Sequence, residues 1–178
     1  MKEGVTLFVP LQVYSDYSIL ESCIRIPELV KLAASYGYSY LGLTDHNTAG
    51  GLVEFYQHCE KHQINPILGL DLDISGFLGL DRIVFLAENI TGYHNLLALA
   101  SLPKPVDKRQ LIVYQQGLIC LINVKNLDTI TNDYTEIAKI FGKENVYLQL
   151  HIHTEALRQQ ANQLVRLFPT EVLVASLA

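Results

Sequence analysis

The chain is predicted to fold as a single α/β domain, and three observations predict it. Its 178 residues are 49% hydrophobic, enough to bury one good core. Short apolar runs alternate with helical patterns from end to end. Several runs are nearly unbroken, for example Ile83-Val84-Phe85-Leu86 and Leu118-Ile119-Cys120-Leu121-Ile122, which suits parallel strands covered on both faces. Seven such strands with helices between them make an α/β barrel or a doubly wound sheet.

Strands are expected at Leu7–Tyr14, Ser39–Thr44, Asn65–Asp73, Arg82–Glu88, Leu118–Val124, Val146–Ile152 and Glu171–Leu177. The first helix has Pro27 in its opening turn, an apolar face of Leu29, Val30, Leu32, Ala33 and Ala34, and Gly37 as its stop. The second carries Leu52, Phe55, Tyr56 and Cys59 at spacings of three and four, a single apolar stripe. Further helices are expected over Tyr93–Ser101, Tyr134–Phe141 and Glu155–Phe168. Ser101–Gln116, with Pro103 and Pro105, is expected to be an exposed connection.

A net charge of −5 and a pI near 5.6 argue against strong nucleic-acid binding, which takes a basic face. Cys23, Cys59 and Cys120 lie far apart, an odd count without CxxC spacing, and are expected to be reduced thiols in the core of a cytoplasmic protein. No run nears the roughly 18 consecutive apolar residues of a membrane span, and no secretory signal is visible.

In parallel α/β folds the loops converge at the C-terminal ends of the strands, and chemistry collects there. This chain gathers polar residues at those ends: Gln12, Tyr14 and Asp16; Thr44 to Asn47; Asp71 and Asp73; His151 to Glu155. Asp45-His46-Asn47 suits either a helix cap or a site. Asp71 and Asp73 share one face at strand period, as do His151 and His153. His58, His62 and His94 sit on helical patterns facing outward. Thr48-Ala49-Gly50-Gly51 lacks the Lys of a P-loop, and there is no GxSxG elbow.

The stretches FVPLQVYSDYS (8–18), YLGLTDHN (40–47), GLVEFY (51–56), PILGLD (66–71), VFLAENITGYHNLLALAS (84–101), GLICLI (117–122) and YLQLHIH (147–153) occur in family order. Together they resemble the PHP (polymerase and histidinol phosphatase) domain of the bacterial DNA polymerase III alpha subunit. The resemblance implies a distorted seven-stranded (βα) barrel related to the TIM barrel. It also implies a cleft of histidines and carboxylates that holds up to three divalent metals in active members. The opening HxH pair of that pattern falls on Gln12 and Tyr14, and a further family histidine falls on Arg82. Residual metal ligands would be Glu21, His46, Asp71 and His153.

An amide and an un-ionised phenol bind transition metals poorly where imidazole binds them well, and a guanidinium repels them. The expectation is therefore an eroded metal site with no tightly bound cofactor, with one weakly held Mn, Zn or Mg ion as the alternative. The implied role is that of a scaffold, an N-terminal fragment of a longer replicative polymerase. Its partners would be the remainder of that chain and a proofreading exonuclease subunit, with no membrane involved. Tyr14 and Arg82 are expected to hydrogen-bond Asp71 or Glu21. The competing expectation is an active metal-dependent phosphoesterase or 3′–5′ exonuclease built on His46, Asp71, His151 and His153.

Overall fold

In the computed structural model of the chain, residues 8–124, 127–152, 162, 164–168 and 172–177 are described. The elements run α1 (Ile26–Ser35), β1 (Tyr40–Leu43), α2 (Leu52–Lys61), β2 (Asn65–Ser75), β3 (Arg82–Ala87), α3 (Ile90–Ser101), β4 (Val106–Asp107), α4 (Lys108–Val113), β5 (Leu118–Asn123), α5 (Leu127–Phe141), β6 (Val146–Ile152) and β7 (Val172–Leu177). The strands form one mixed sheet in the order β1-β2-β3-β5-β6-β7, with β4 beside β2, an α/β half-barrel.

The sheet differs from the parallel one expected. β1 and β2 are parallel, as are β5, β6 and β7, but β3 runs antiparallel to both β2 and β5. The cause is the connection after β2. Residues 76–81 are too few for a crossover helix, and Gly76 at φ +92° turns the chain straight back.

The segment expected to open the sheet is not a regular strand over its described part. Gly42 donates to the Pro10 carbonyl and Thr44 to the Val13 carbonyl, each at 2.8 Å. From Pro10 to Val13 the segment advances three positions against two from Gly42 to Thr44, so it bulges across the edge of the sheet. The approach is close enough that a Cβ on Gly42 would sit 2.5 Å from the Leu11 carbonyl oxygen. The supposed exposed connection at 101–116 also needs correction. It carries β4 and α4, with Asp107 and Gln110 forming a reciprocal capping box, and it buries Val106 and Leu111 completely. Of the three cysteines, Cys59 and Cys120 are buried as expected, whereas Cys23 is exposed. The helix expected over Glu155–Phe168 lies mostly outside the described residues.

Side-chain alternation then sorts the two faces. On β2, Leu70, Leu72 and Ile74 point into the main core with Ile83 and Phe85 of β3, Cys120 and Ile122 of β5, and the inner faces of α3, α4 and α5. A second cluster joins α1 and α2 to β1 through Val30, Leu41, Leu43, Leu52 and Phe55. The opposite face of the sheet buries a smaller cluster of Val84, Leu86 and Leu121, against which Leu11, Ile67 and Tyr147 pack. Asp71, Asp73 and Arg82 fall on this second face by strand parity, since Asp71 pairs with Val84 and Asp73 with Arg82.

Candidate functional site: a closed ion network at the strand ends

Because β3 is antiparallel, its first residue lies at the same end of the sheet as the last residues of β1 and β2. This brings Arg82 to the polar cluster, although it begins a strand. The guanidinium reaches Asp71 through Nη2 at 2.7 Å and Nε at 3.3 Å. It also donates to both carboxylate oxygens of Glu21 at 3.2 Å. Asp71 is 1% exposed, so Arg82 neutralises a carboxylate removed from water.

Tyr14 donates to Asp71 Oδ2 at 2.6 Å and in turn accepts a hydrogen bond from the Gln12 amide. Gln149 of β6 donates to Gln12 Oε1, which closes the network across the sheet. Burial and the neighbouring Asp71 charge push the Tyr14 phenol well above its usual range, so it stays a neutral donor. The expected bonding of Tyr14 and Arg82 to Asp71, and of Arg82 to Glu21, is present.

His46 forms the other half. Its Nδ1 lies 2.7 Å from Glu21 Oε1 and its Nε2 2.9 Å from Asp73 Oδ1. Asn47, held at φ +58° (a conformation asparagine tolerates), donates to Asp73 Oδ2 at 2.6 Å and accepts from the Asp73 amide at 3.0 Å. Partial burial pulls the Glu21 carboxyl upward, but Arg82 and then His46 outweigh it and hold the group below its ordinary range. Asp73 is held low in the same way: burial opposes, and His46 and Asn47 prevail. For Arg82, burial disfavours the charge, but its bonds to Asp71 and Glu21 overcome this and raise its pKa.

Asp45 does not cap a helix; α2 begins at Leu52, and its N-cap, Gly51, has no side-chain cap. Its buried carboxylate instead accepts from the Ser15 amide, the Ser15 hydroxyl and the Ser18 hydroxyl at 2.6 to 2.7 Å, which anchors the loop that carries Glu21. Glu21, His46, Asp71, Arg82, Gln12 and Tyr14 therefore meet in one place, while His153 lies outside the described residues. Asp73 and Asn47 were among the polar residues expected at the strand ends but not among the residual ligands, and Gln149 was not singled out. Asn47 adjoins His46 and Asp73 lies two residues beyond Asp71 on the same strand face, whereas Gln149 is a lone amide in β6. His62 and His94 are exposed and His58 is half-buried, away from this network.

The fold and the site define an α/β half-barrel domain whose strand ends gather acids, an imidazole and a guanidinium into one network. The PHP domain model matches residues 10–171, and the chain belongs to the PHP domain family. Among curated proteins it is similar to DNA polymerase III subunit alpha of Borreliella burgdorferi, 31% identical over 176 residues that cover 82% of this chain and 15% of that protein. It is also similar to DNA polymerase III subunit alpha of Bacillus subtilis, 38% identical over 122 residues, 64% of this chain and 11% of that protein. The chain thus spans about a seventh or less of the length of these two relatives.

The fold is shared with solved structures at low identity. One is an amidohydrolase from Chromobacterium violaceum, with TM-score 0.61, 12% identity, and coverage of 94% of this chain and 86% of that one. Another is a protein described as a metal-dependent phosphoesterase from Bifidobacterium adolescentis, with TM-score 0.65, 10% identity and the same coverage. Among the described residues no helix is long and apolar enough to cross a membrane.

Proposed function

We propose that this chain is a polymerase-type PHP domain that works as a scaffold. In this reading it supports the remainder of a DNA polymerase III alpha chain in the cytoplasm and docks a proofreading exonuclease subunit. Its cleft holds an internal ion network in place of catalytic metals.

One observation carries the reading: the Arg82 guanidinium is hydrogen-bonded to Asp71 and Glu21 together. These two carboxylates are ones that the family pattern would assign to metal. The donor set does not fit a multinuclear centre. Such a centre needs several imidazoles and free carboxylates to offset the ionic charge and fix its geometry. Here Gln12 and a neutral Tyr14 stand at two ligand positions, and a fixed cation stands at a third. A divalent ion would have to displace a guanidinium held by four hydrogen bonds, or sit beside it against like-charge repulsion in a partly desolvated cleft.

The test is nucleotide release from a 3′-ended primer by purified protein in Mn2+ without deoxynucleotides. The scaffold reading expects none above background. Release that His46→Ala or His153→Ala abolishes would overturn it in favour of a metal-dependent exonuclease.

A further inference from the structure

The loop that supplies Glu21 to the network also presents a second, outward-facing feature. Residues 15–24 form a closed loop: the Asp16 amide donates to the Ile24 carbonyl at 2.9 Å, pinning the two ends together. Inside it, Ser18 receives the amides of Glu21 and Ser22 at 3.0 and 3.1 Å, and the Ser22 hydroxyl donates to the Tyr14 carbonyl at 2.9 Å. Buried Asp45 clamps one limb and Arg82 holds the other through Glu21. At the tip of this rigid loop are two aliphatic side chains, Ile19 at 81% and Leu20 at 101% exposure. Leu20 also has φ +68°, a conformation unfavourable for any residue with a Cβ and commonly taken by glycine or asparagine.

Within the described residues, neither feature serves the fold. The tip packs on nothing, and a glycine or asparagine would turn there more easily. A rigid mount, a bare apolar tip and a disfavoured backbone fit a preformed anchor for a partner, because holding the side chains in their bound position beforehand lowers the entropy lost on docking.

Charge decides between partners. Asp16 flanks the tip and is exposed, Glu54 lies across Tyr17 from it, and Arg25 is the nearby cation, while the Glu21 carboxylate is already paired with Arg82 and His46. The chain as a whole carries −5. An acidic rim repels anionic lipid, nucleic acid and a second copy of this chain. It suits a polypeptide pocket that is apolar within and rimmed by lysine or arginine.

We propose that Ile19 and Leu20 are a docking finger that inserts into an apolar, basic-rimmed pocket of a polypeptide region beyond this domain. Its occupant would be the portion that, in the DNA polymerase III alpha relatives, makes up some 85% of the chain outside the match. The inference rests on the scaffold reading in taking the partner to be the remainder of a polymerase chain.

Two measurements on the polymerase as expressed from its complete reading frame test it. A photoreactive benzoylphenylalanine at position 20 should cross-link to apolar residues beside lysine or arginine outside this domain, in higher yield than the same probe at exposed Ile112. Leu20→Asn relieves the backbone while removing the aliphatic side chain. With a docked finger the variant melts lower and is cut faster by protease; with an idle finger it melts at the same temperature or higher. Cross-links no more frequent than at position 112, links only to a second copy, DNA or lipid, or an unchanged or raised melting temperature would overturn the proposal. Nuclease activity would sink the scaffold reading and leave these outcomes unaffected, so the two failures are distinguishable.

Discussion

Replacing Arg82 with methionine keeps most of the side-chain stem and removes the charge that ties Asp71 to Glu21. Asp71 is 1% exposed, so the variant leaves a buried carboxylate with Tyr14 as its one short donor and Gln12 at 3.4 Å. Removing one partner of a buried ion pair costs about 3–5 kcal/mol. The retained Tyr14 bond and the 26% exposure of the Arg82 side chain, which lets water in, bring the expected loss to or below the bottom of that range, about 2–3 kcal/mol. For a domain of this size that is a fall in melting temperature of about 5–10 °C. Differential scanning calorimetry, backed by urea unfolding, reads it directly. The second variant of the cycle, Asp71→Asn with Arg82→Met, removes the stranded charge as well and should recover more than half of the loss. An Arg82→Met protein as stable as wild type, or a double variant no better than the single one, would refute the idea that this pair holds the cleft together.

Other outcomes follow from the same geometry. Glu21 and Asp73 are held below their ordinary carboxylate values in the fold, so their stabilisation is complete above about pH 4.5 and is lost as pH falls through the lowered values. Melting temperature measured from pH 6 to pH 3 should therefore drop below about pH 4.5, and Glu21→Gln should flatten that drop; a variant with an unchanged slope would contradict the assignment. Thiol titration of the native protein should modify exposed Cys23 at once. Burial pushes the Cys59 thiol up to about 12 and raises Cys120, so both should react only on unfolding.

Much of the fold was legible because its helices carry their own punctuation. Pro27 and Gly37 bracket α1, and the spacing of Leu52, Phe55 and Cys59 fixes the buried face of α2. Strand direction was harder to read. The apolar run Ile83–Leu86 is buried on both faces whether its neighbours are parallel or antiparallel, so its composition does not report direction. The length of the 76–81 connection does, because six residues cannot cross over the sheet. The short β4 and α4 were hidden by Pro103 and Pro105, although Asp107 and Gln110 carry a capping-box signature that marks the helix start.

At the site, the resemblance brought Glu21, His46, Asp71 and Arg82 to one place. It did not reveal that Asp73 would share His46 or that Gln149 would reach Gln12 from β6. The first depends on the left-handed turn at Asn47, and the second on a contact between residues 137 positions apart. Neither leaves a periodic signal in the sequence.

The most direct test of a guanidinium standing in for metal is isothermal titration of Mn2+ and Zn2+ into wild-type protein, with metal content of the untreated material measured alongside. The account predicts substoichiometric metal, no saturable heat, and a melting temperature indifferent to chelator. Two or more tightly bound ions per chain, lost on chelation together with stability, would contradict it.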